Sequence, residues 1–240
     1  LAAVLDWELA HRGDAHEDLA FGCMTVWRFG RIDRPAFGVG SLADYFAAYE
    51  AAGGVRVDRD RFRFWLVYRT LWWALGCLQM GQAWRSGADP TVERVVIGRR
   101  TAEQELDLLL LLEAEAPEVE RGRALPPSPD AAPAPTGEPT HSEIVQAVRD
   151  WIEGSIKPRA EGHAKFEAVV AMNALGIVLR DLSADVRAED AALAEALLSG
   201  TTSLAEPGLL ARLRRAVLDK CAIDSPKYAA LAAARADWRG

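Results

Sequence analysis

The stretch from Pro117 to Pro139 sets the strongest limit on what this chain can fold into. It contains Pro126-Pro127-Ser128-Pro129 and Ala131-Ala132-Pro133-Ala134-Pro135, with almost no large apolar side chain. Such a composition favours a semi-extended spacer and cannot build a core. The 240 residues are therefore expected to divide into a segment 1–116, a linker 117–139 and a second segment 140–240. Half of all residues are hydrophobic, enough for a core on each side of the linker.

Both segments read as mainly α-helical. Asp14 and Glu17 have capping-box spacing and open a helix expected to reach about Phe29 and stop at Gly30. Ser41, with Asp44 three residues on, caps a helix that ends at Gly53-Gly54. Asp58 to Trp84 reads as one long apolar helix, broken by Gly87-Ala88-Asp89-Pro90. Val92 to Ile97 suits a short strand or part of a helix. Thr101 and Gln104 have capping-box spacing ahead of a helix bearing Leu106, Leu109, Leu110 and Leu112.

In the second segment, Thr140 and Glu143 form another box. Behind it Ile144, Val145, Val148, Trp151 and Ile152 fall on one helical face. A helix over about Ala160–Leu182 is expected to turn Phe166, Val169, Val170, Ile177 and Val178 inward, with Asn173 as a satisfied core amide. Further helices are expected over Ala188–Leu198, from Pro207 to Cys221, and from Ser225-Pro226 to Trp238. Arg212, Arg214 and Arg215 suit a solvated helix face.

Charge and cysteine content narrow the partners. A net charge of −7 argues against a general nucleic-acid surface. Cys23, Cys77 and Cys221 have neither disulfide nor metal-site spacing, which suits a reducing cytoplasm. Phe64 to Trp84 is the most membrane-like stretch, but Arg69 near its middle favours a buried helix over a spanning one.

The first residues concentrate acid. Leu1–Leu5 is an apolar run of strand length, ending at Asp6; Glu8, Asp14, Glu17 and Asp18 follow within a dozen positions. A carboxylate at the end of a buried strand needs a partner. A divalent cation is one such partner, and turn or helix capping is the other use of these residues. On spacing alone capping is favoured.

The pattern V-L-D-W-E-x-A-x-x-G-D-A-x-x-D-L-A over Val4–Ala20 resembles the metal-binding segment of the aminoglycoside phosphotransferase and choline kinase-like family, usually I-D-W-E-x-A-x-x-G-D-P-x-x-D-L-A. Ala15 stands where that family usually has Pro. Tyr45-Phe46-x-x-Tyr49-Glu50, the Phe64-Trp65 helix and Gly98-Arg99-Arg100-Thr101-Ala102-Glu103 resemble the same family's carboxyl-terminal lobe, so the likeness covers roughly residues 1–116. It implies the helical carboxyl-terminal lobe of a protein kinase-like fold, with a short β segment at its start and a second, small all-α domain behind it. It implies that Asp6 holds Mg²⁺ on ATP, that Glu8, Gly13, Asp14 and Asp18 belong to the motif's frame, and that Trp65, Tyr68 and Trp72 line a substrate pocket. An aromatic stripe at helical spacing is more often core, and that use stays open. Residues 140–240 resemble an uncharacterised helical domain appended to kinase-like phosphotransferases of this type.

The resemblance implies an ATP- and Mg²⁺-dependent transfer of phosphate to the hydroxyl of a small molecule. The D-W-E and G-R-R-T-A-E signatures point to the branch associated with acyl-CoA dehydrogenases, whose substrates are hydroxyacyl compounds. The H-G-D-x-x-x-x-N catalytic loop expected upstream of D-W-E is not among these residues, and no Lys occurs before Lys157. The chain is thus expected to be a fragment, inactive alone, without catalytic residues of its own and prone to self-association. It is expected in the cytoplasm, with no membrane or nucleic-acid partner. The alternative is a non-catalytic binding or interaction protein built on the same helical lobe.

Overall fold

The computed structural model describes residues 7–89, 91–127, 140–184 and 191–238. The chain is mainly α-helical. Among the described residues the only β pairing is an isolated bridge between Ala36 and Gly40. The strand expected over Leu1–Leu5 and the carboxylate of Asp6 lie outside the described residues. Two compact units result, Leu1–Thr70 and Leu71–Gly240.

The first unit holds a 3-10 turn Trp7–Leu9, helix α1 (Ala15–Phe21), a 3-10 turn Thr25–Arg28, helix α2 (Leu42–Ala51) and the start of helix α3 (Arg59–Arg85). The helix expected through Phe29 stops at Phe21 instead. A Cβ on Gly22 would lie 2.0 Å from the Phe37 ring, so the chain turns where that ring packs. Phe29 and Gly30 then adopt left-handed backbone, with φ of 46° and 86°. Ser41 caps α2 as expected, its hydroxyl accepting from the Asp44 N–H at 3.1 Å. Leu19, Ala20, Met24, Phe46, Phe62 and Leu66 form the buried core. The Phe46 and Phe62 rings meet edge to face at 4.8 Å.

The second unit adds α4 (Val92–Arg99), α5 (Thr101–Leu112), α6 (Glu118–Arg121), α7 (His141–Trp151), α8 (Gly162–Asp181), α9 (Ala191–Leu198), α10 (Leu209–Asp224) and α11 (Ala229–Asp237). Val92–Ile97 is therefore helix, not strand. A Cβ on Gly98 would sit 3.2 Å from Gly81 Cα, so this glycine lets α4 approach α3 closely. Helix α5 packs on α10 and α11, while α8 packs on α4 and α7.

The compact units do not divide at the Pro/Ala-rich stretch: helices from both sides of it pack together within the second unit. The start of that stretch is itself helical, as α6, with Glu120 buried.

Thr140 and Glu143 form both bonds of their capping box. Thr101 and Gln104 do not. Arg100 closes α4 and opens α5 in helical conformation, so no extended N-cap exists there, and the Thr101 hydroxyl donates back to the Gly98 carbonyl at 2.9 Å. Helix α10 starts after Gly208, in left-handed backbone, rather than at Pro207. Val170 and Ile177 are buried as expected, but Phe166, Val169 and Val178 are exposed, as is Asn173, because α8 meets neighbours along only part of its surface. Among the described residues α8 is the one helix long and apolar enough to cross a membrane, a property that core helices share.

Candidate functional site

The segment that carries the resemblance builds a hydrogen-bonded centre in the first unit. Asp14 is the N-cap of α1, in extended conformation, and its carboxylate accepts from the His16 backbone N–H at 3.0 Å. The same oxygen, Oδ1, lies 2.8 Å from His16 Nδ1. Its other oxygen, Oδ2, accepts the Trp65 indole N–H at 2.9 Å and meets Arg61 Nε at 2.5 Å. These donors hold the Asp14 carboxyl well below the usual carboxylate range. The His16 backbone N–H is the largest cause, burial opposes it, and Trp65, the His16 ring and Arg61 add to it.

His16 is buried and joins two helix starts. Its Nε2 accepts the Asp58 backbone N–H at 3.0 Å, so Nδ1 carries the proton given to Asp14. Asp58 in turn caps α3 by accepting from the Asp60 and Arg61 N–H groups at 3.0 and 3.1 Å.

Glu17, also buried, lies 3.3 Å from Arg69 Nη1 and 3.1 Å from His11 Nε2. His11 Nδ1 lies 2.9 Å from the Leu9 carbonyl. Both ring nitrogens therefore face acceptors, which favours the imidazolium and raises the His11 pKa above 6.5. A Cβ on Gly13 would come within 3.0 Å of both Glu17 Oε2 and His11 Nε2, so the glycine leaves room for this contact. Arg69 crosses the face of Phe21 at 4.9 Å. The charge that interrupts the apolar α3 is thus buried and paired.

The sequence-predicted residues separate. Asp14, Gly13 and Trp65 come together in this centre. Asp18 is exposed on the first turn of α1. Glu8 lies on the 3-10 turn Trp7–Leu9. Tyr68 is exposed and stacks on Phe64, with ring centroids 6.2 Å apart. Trp72, half-buried, tilts against Trp73 at 6.3 Å. His11, His16, Arg61 and Arg69 escaped the sequence expectations as site members, and Glu17 figured there only among the acidic residues at the helix start. The D-x-H spacing of Asp14 and His16 was the one local signal for them.

Mg²⁺ does not fit the described part of this centre. Asp14 and Glu17 already face cationic and N–H donors, and among the described residues no group of three or more His, Cys, Asp or Glu is placed to hold a metal ion. The metal role implied for Asp6 falls outside the described residues.

A second polar cluster lies between α5, α10 and α11. Glu103, Asp107, Arg214 and Asp224 are buried there. The Tyr228 hydroxyl donates to Asp107 Oδ2 at 2.5 Å, and Ser225 donates to Glu103 at 2.8 Å. Arg214 does not lie on a solvated face. It pairs with Glu113 at 2.8 Å and packs over the Trp238 ring at 5.2 Å, while of the three arginines only Arg212 is exposed. Gln104, wholly buried beside them, has no hydrogen-bond partner for either amide atom. Elsewhere, a small cleft is lined by Thr91, Val92, Glu93, His163, Phe166, Glu167 and Val170, none of them singled out by the sequence as a site residue.

No curated protein and no solved structure matches this chain. Residues 183–228, well short of half its length, match a family described as a domain of unknown function (DUF6285). That similarity takes in α10 and reaches Tyr228, which docks on α5.

Proposed function

We propose that this chain supplies the helical, substrate-holding lobe of an ATP- and Mg²⁺-dependent phosphotransferase acting on the hydroxyl of a small molecule, with hydroxyacyl compounds as the substrate class. One observation carries the reading: the Asp14 of the G-D-A-H-E-D-L-A segment receives the Trp65 indole N–H at 2.9 Å. The acidic motif is thereby tied to the aromatic helix that the resemblance assigns to the substrate.

In such a reaction the acceptor hydroxyl loses its proton to an Asp of the H-G-D-x-x-x-x-N loop. That loop is not among these residues, so the 240-residue chain is proposed to bind and not to turn over. Asp6 remains the proposed Mg²⁺ ligand. A cytoplasmic setting belongs to the same proposal, supported by three buried free thiols.

Tryptophan fluorescence tests it. Short-chain hydroxyacyl thioesters should quench the signal saturably without nucleotide, and Tyr68→Ala should weaken the effect. ATP–Mg²⁺ added alone should show no micromolar binding by calorimetry. Absence of binding by every hydroxyacyl probe, or phosphorylation of any of them by the chain alone, overturns the proposal. In a longer protein that carries the catalytic loop, Asp6→Asn should abolish Mg²⁺-dependent ATP consumption and leave the fold intact.

A further inference from the structure

We propose that residues 140–238 hold residues 92–127 by surface recognition, so that the two pieces stay assembled when the segment between them is cut. A ladder of pairs runs antiparallel between the stretch from the end of α4 through α5 to α6 and the stretch from Gly208 through α10. Arg99 meets Asp224 at 2.6 Å, Glu105 meets Lys220 at 2.6 Å, Glu113 meets Arg214 at 2.8 Å, and Glu120 accepts the Gly208 N–H at 2.7 Å. Going up the first helices, the partners descend the second piece from 224 to 208. The charge order is plus, minus, minus on one side and minus, plus, plus on the other.

That order makes the docking specific. Moving α10 one step along the ladder brings Lys220 toward Arg99 in one direction, or Asp224 toward Glu105 in the other, a like-charge contact that the native register lacks. Like charges brought opposite one another penalise either one-step shift. Between the polar rungs, Ala102, Leu106, Leu209, Leu210 and Leu231 are almost wholly buried and give the surface an apolar centre. Beyond the ladder, Arg99 reaches Asp181 at 3.2 Å, and Arg215 donates to the Pro126 carbonyl at 3.0 Å.

A covalent tether raises the effective concentration of joined pieces to about the millimolar range, so weak contacts suffice when a linker does the holding. This interface has a charge code and a buried centre that tethering does not require. The partner that fits the row Arg99, Glu105 and Glu113 is thus an antiparallel helix carrying Arg, Lys and Asp in chain order, and α10 of this chain provides it.

The test uses the full chain with a site-specific protease sequence inserted between Ala131 and Ala132. After complete cleavage at micromolar concentration, the two pieces should co-elute in size exclusion at the mass of the intact chain. The pair Glu105–Lys220 is partly exposed, so its charges can be reversed without emptying the core. Lys220→Glu should weaken reassociation of the cut pieces by about tenfold, and Glu105→Lys with Lys220→Glu should recover to within about threefold of the parent. Separation of the pieces on cutting, or affinity indifferent to Lys220→Glu, overturns the proposal.

Discussion

The indole N–H of Trp65 donates to Asp14 Oδ2 at 2.9 Å, across 51 positions of sequence. The same carboxylate caps α1, so one side chain sets both the start of that helix and the rotation of an aromatic on α3. Asp14→Ala should lower the melting temperature by about 4 °C or more, through loss of the cap alone. Trp65→Phe should cost less, because it leaves the cap in place. Because the Asp14 carboxyl is held below its ordinary range, its stabilisation is complete above about pH 4 and is lost as pH falls through the folded value. Thermal melts between pH 2 and 7 should show a flatter acid limb for Asp14→Asn than for the parent.

His11 gives a second titration with the opposite sign. The Leu9 carbonyl and Glu17 raise its pKa above 6.5. The contact therefore stabilises fully below that value and is lost as pH rises through the folded pKa. An NMR titration should place His11 above 6.5, and Glu17→Gln should bring it down toward the ordinary value. A parent value at or below 6.5 refutes the imidazolium bridge.

Arg214 is buried between Glu113, the Arg121 carbonyl and the Trp238 ring. Arg214→Ala removes a buried cation from its part-exposed partner Glu113 and from the Arg121 carbonyl, and should destabilise the second unit by about 2 kcal/mol in urea unfolding. Arg214→Lys should recover less than half of that loss, since an ammonium lacks the planar fork that serves both acceptors. A loss under about 1 kcal/mol for Arg214→Ala contradicts the description of Arg214 as buried and bonded.

Tyr228 donates to the buried carboxylate of Asp107. Burial, with Asp107 adding to it, raises the Tyr228 hydroxyl far above its ordinary 10. Its stabilisation is present below pH 10 and declines as pH rises beyond that. Tyr228→Phe should cost about 1–3 kcal/mol at neutral pH, by leaving Asp107 without this donor. It should also flatten the alkaline limb of stability. In the parent, absorbance at high pH should show one tyrosine that ionises only on unfolding.

What the sequence determined by itself is local. Ser41 with Asp44 and Thr140 with Glu143 are capping pairs whose partners lie three residues apart, so propensity and spacing suffice to find them. The mainly helical class followed for the same reason, from apolar periodicity over single turns. The tertiary structure alone decided whatever depends on partners far along the chain. Glu17 lies close enough to a helix start to read as a cap, yet it is paired with Arg69. Arg214 reads as a solvated cation, yet it is buried against Glu113, 101 positions away. Pro117–Pro139 reads as a boundary because its composition cannot form a core. Composition does not report that α5 and α10, on its two sides, carry complementary charges and a shared apolar face. Desolvation makes those long-range pairs obligatory once the helices meet, and nothing within one turn of either helix announces the meeting.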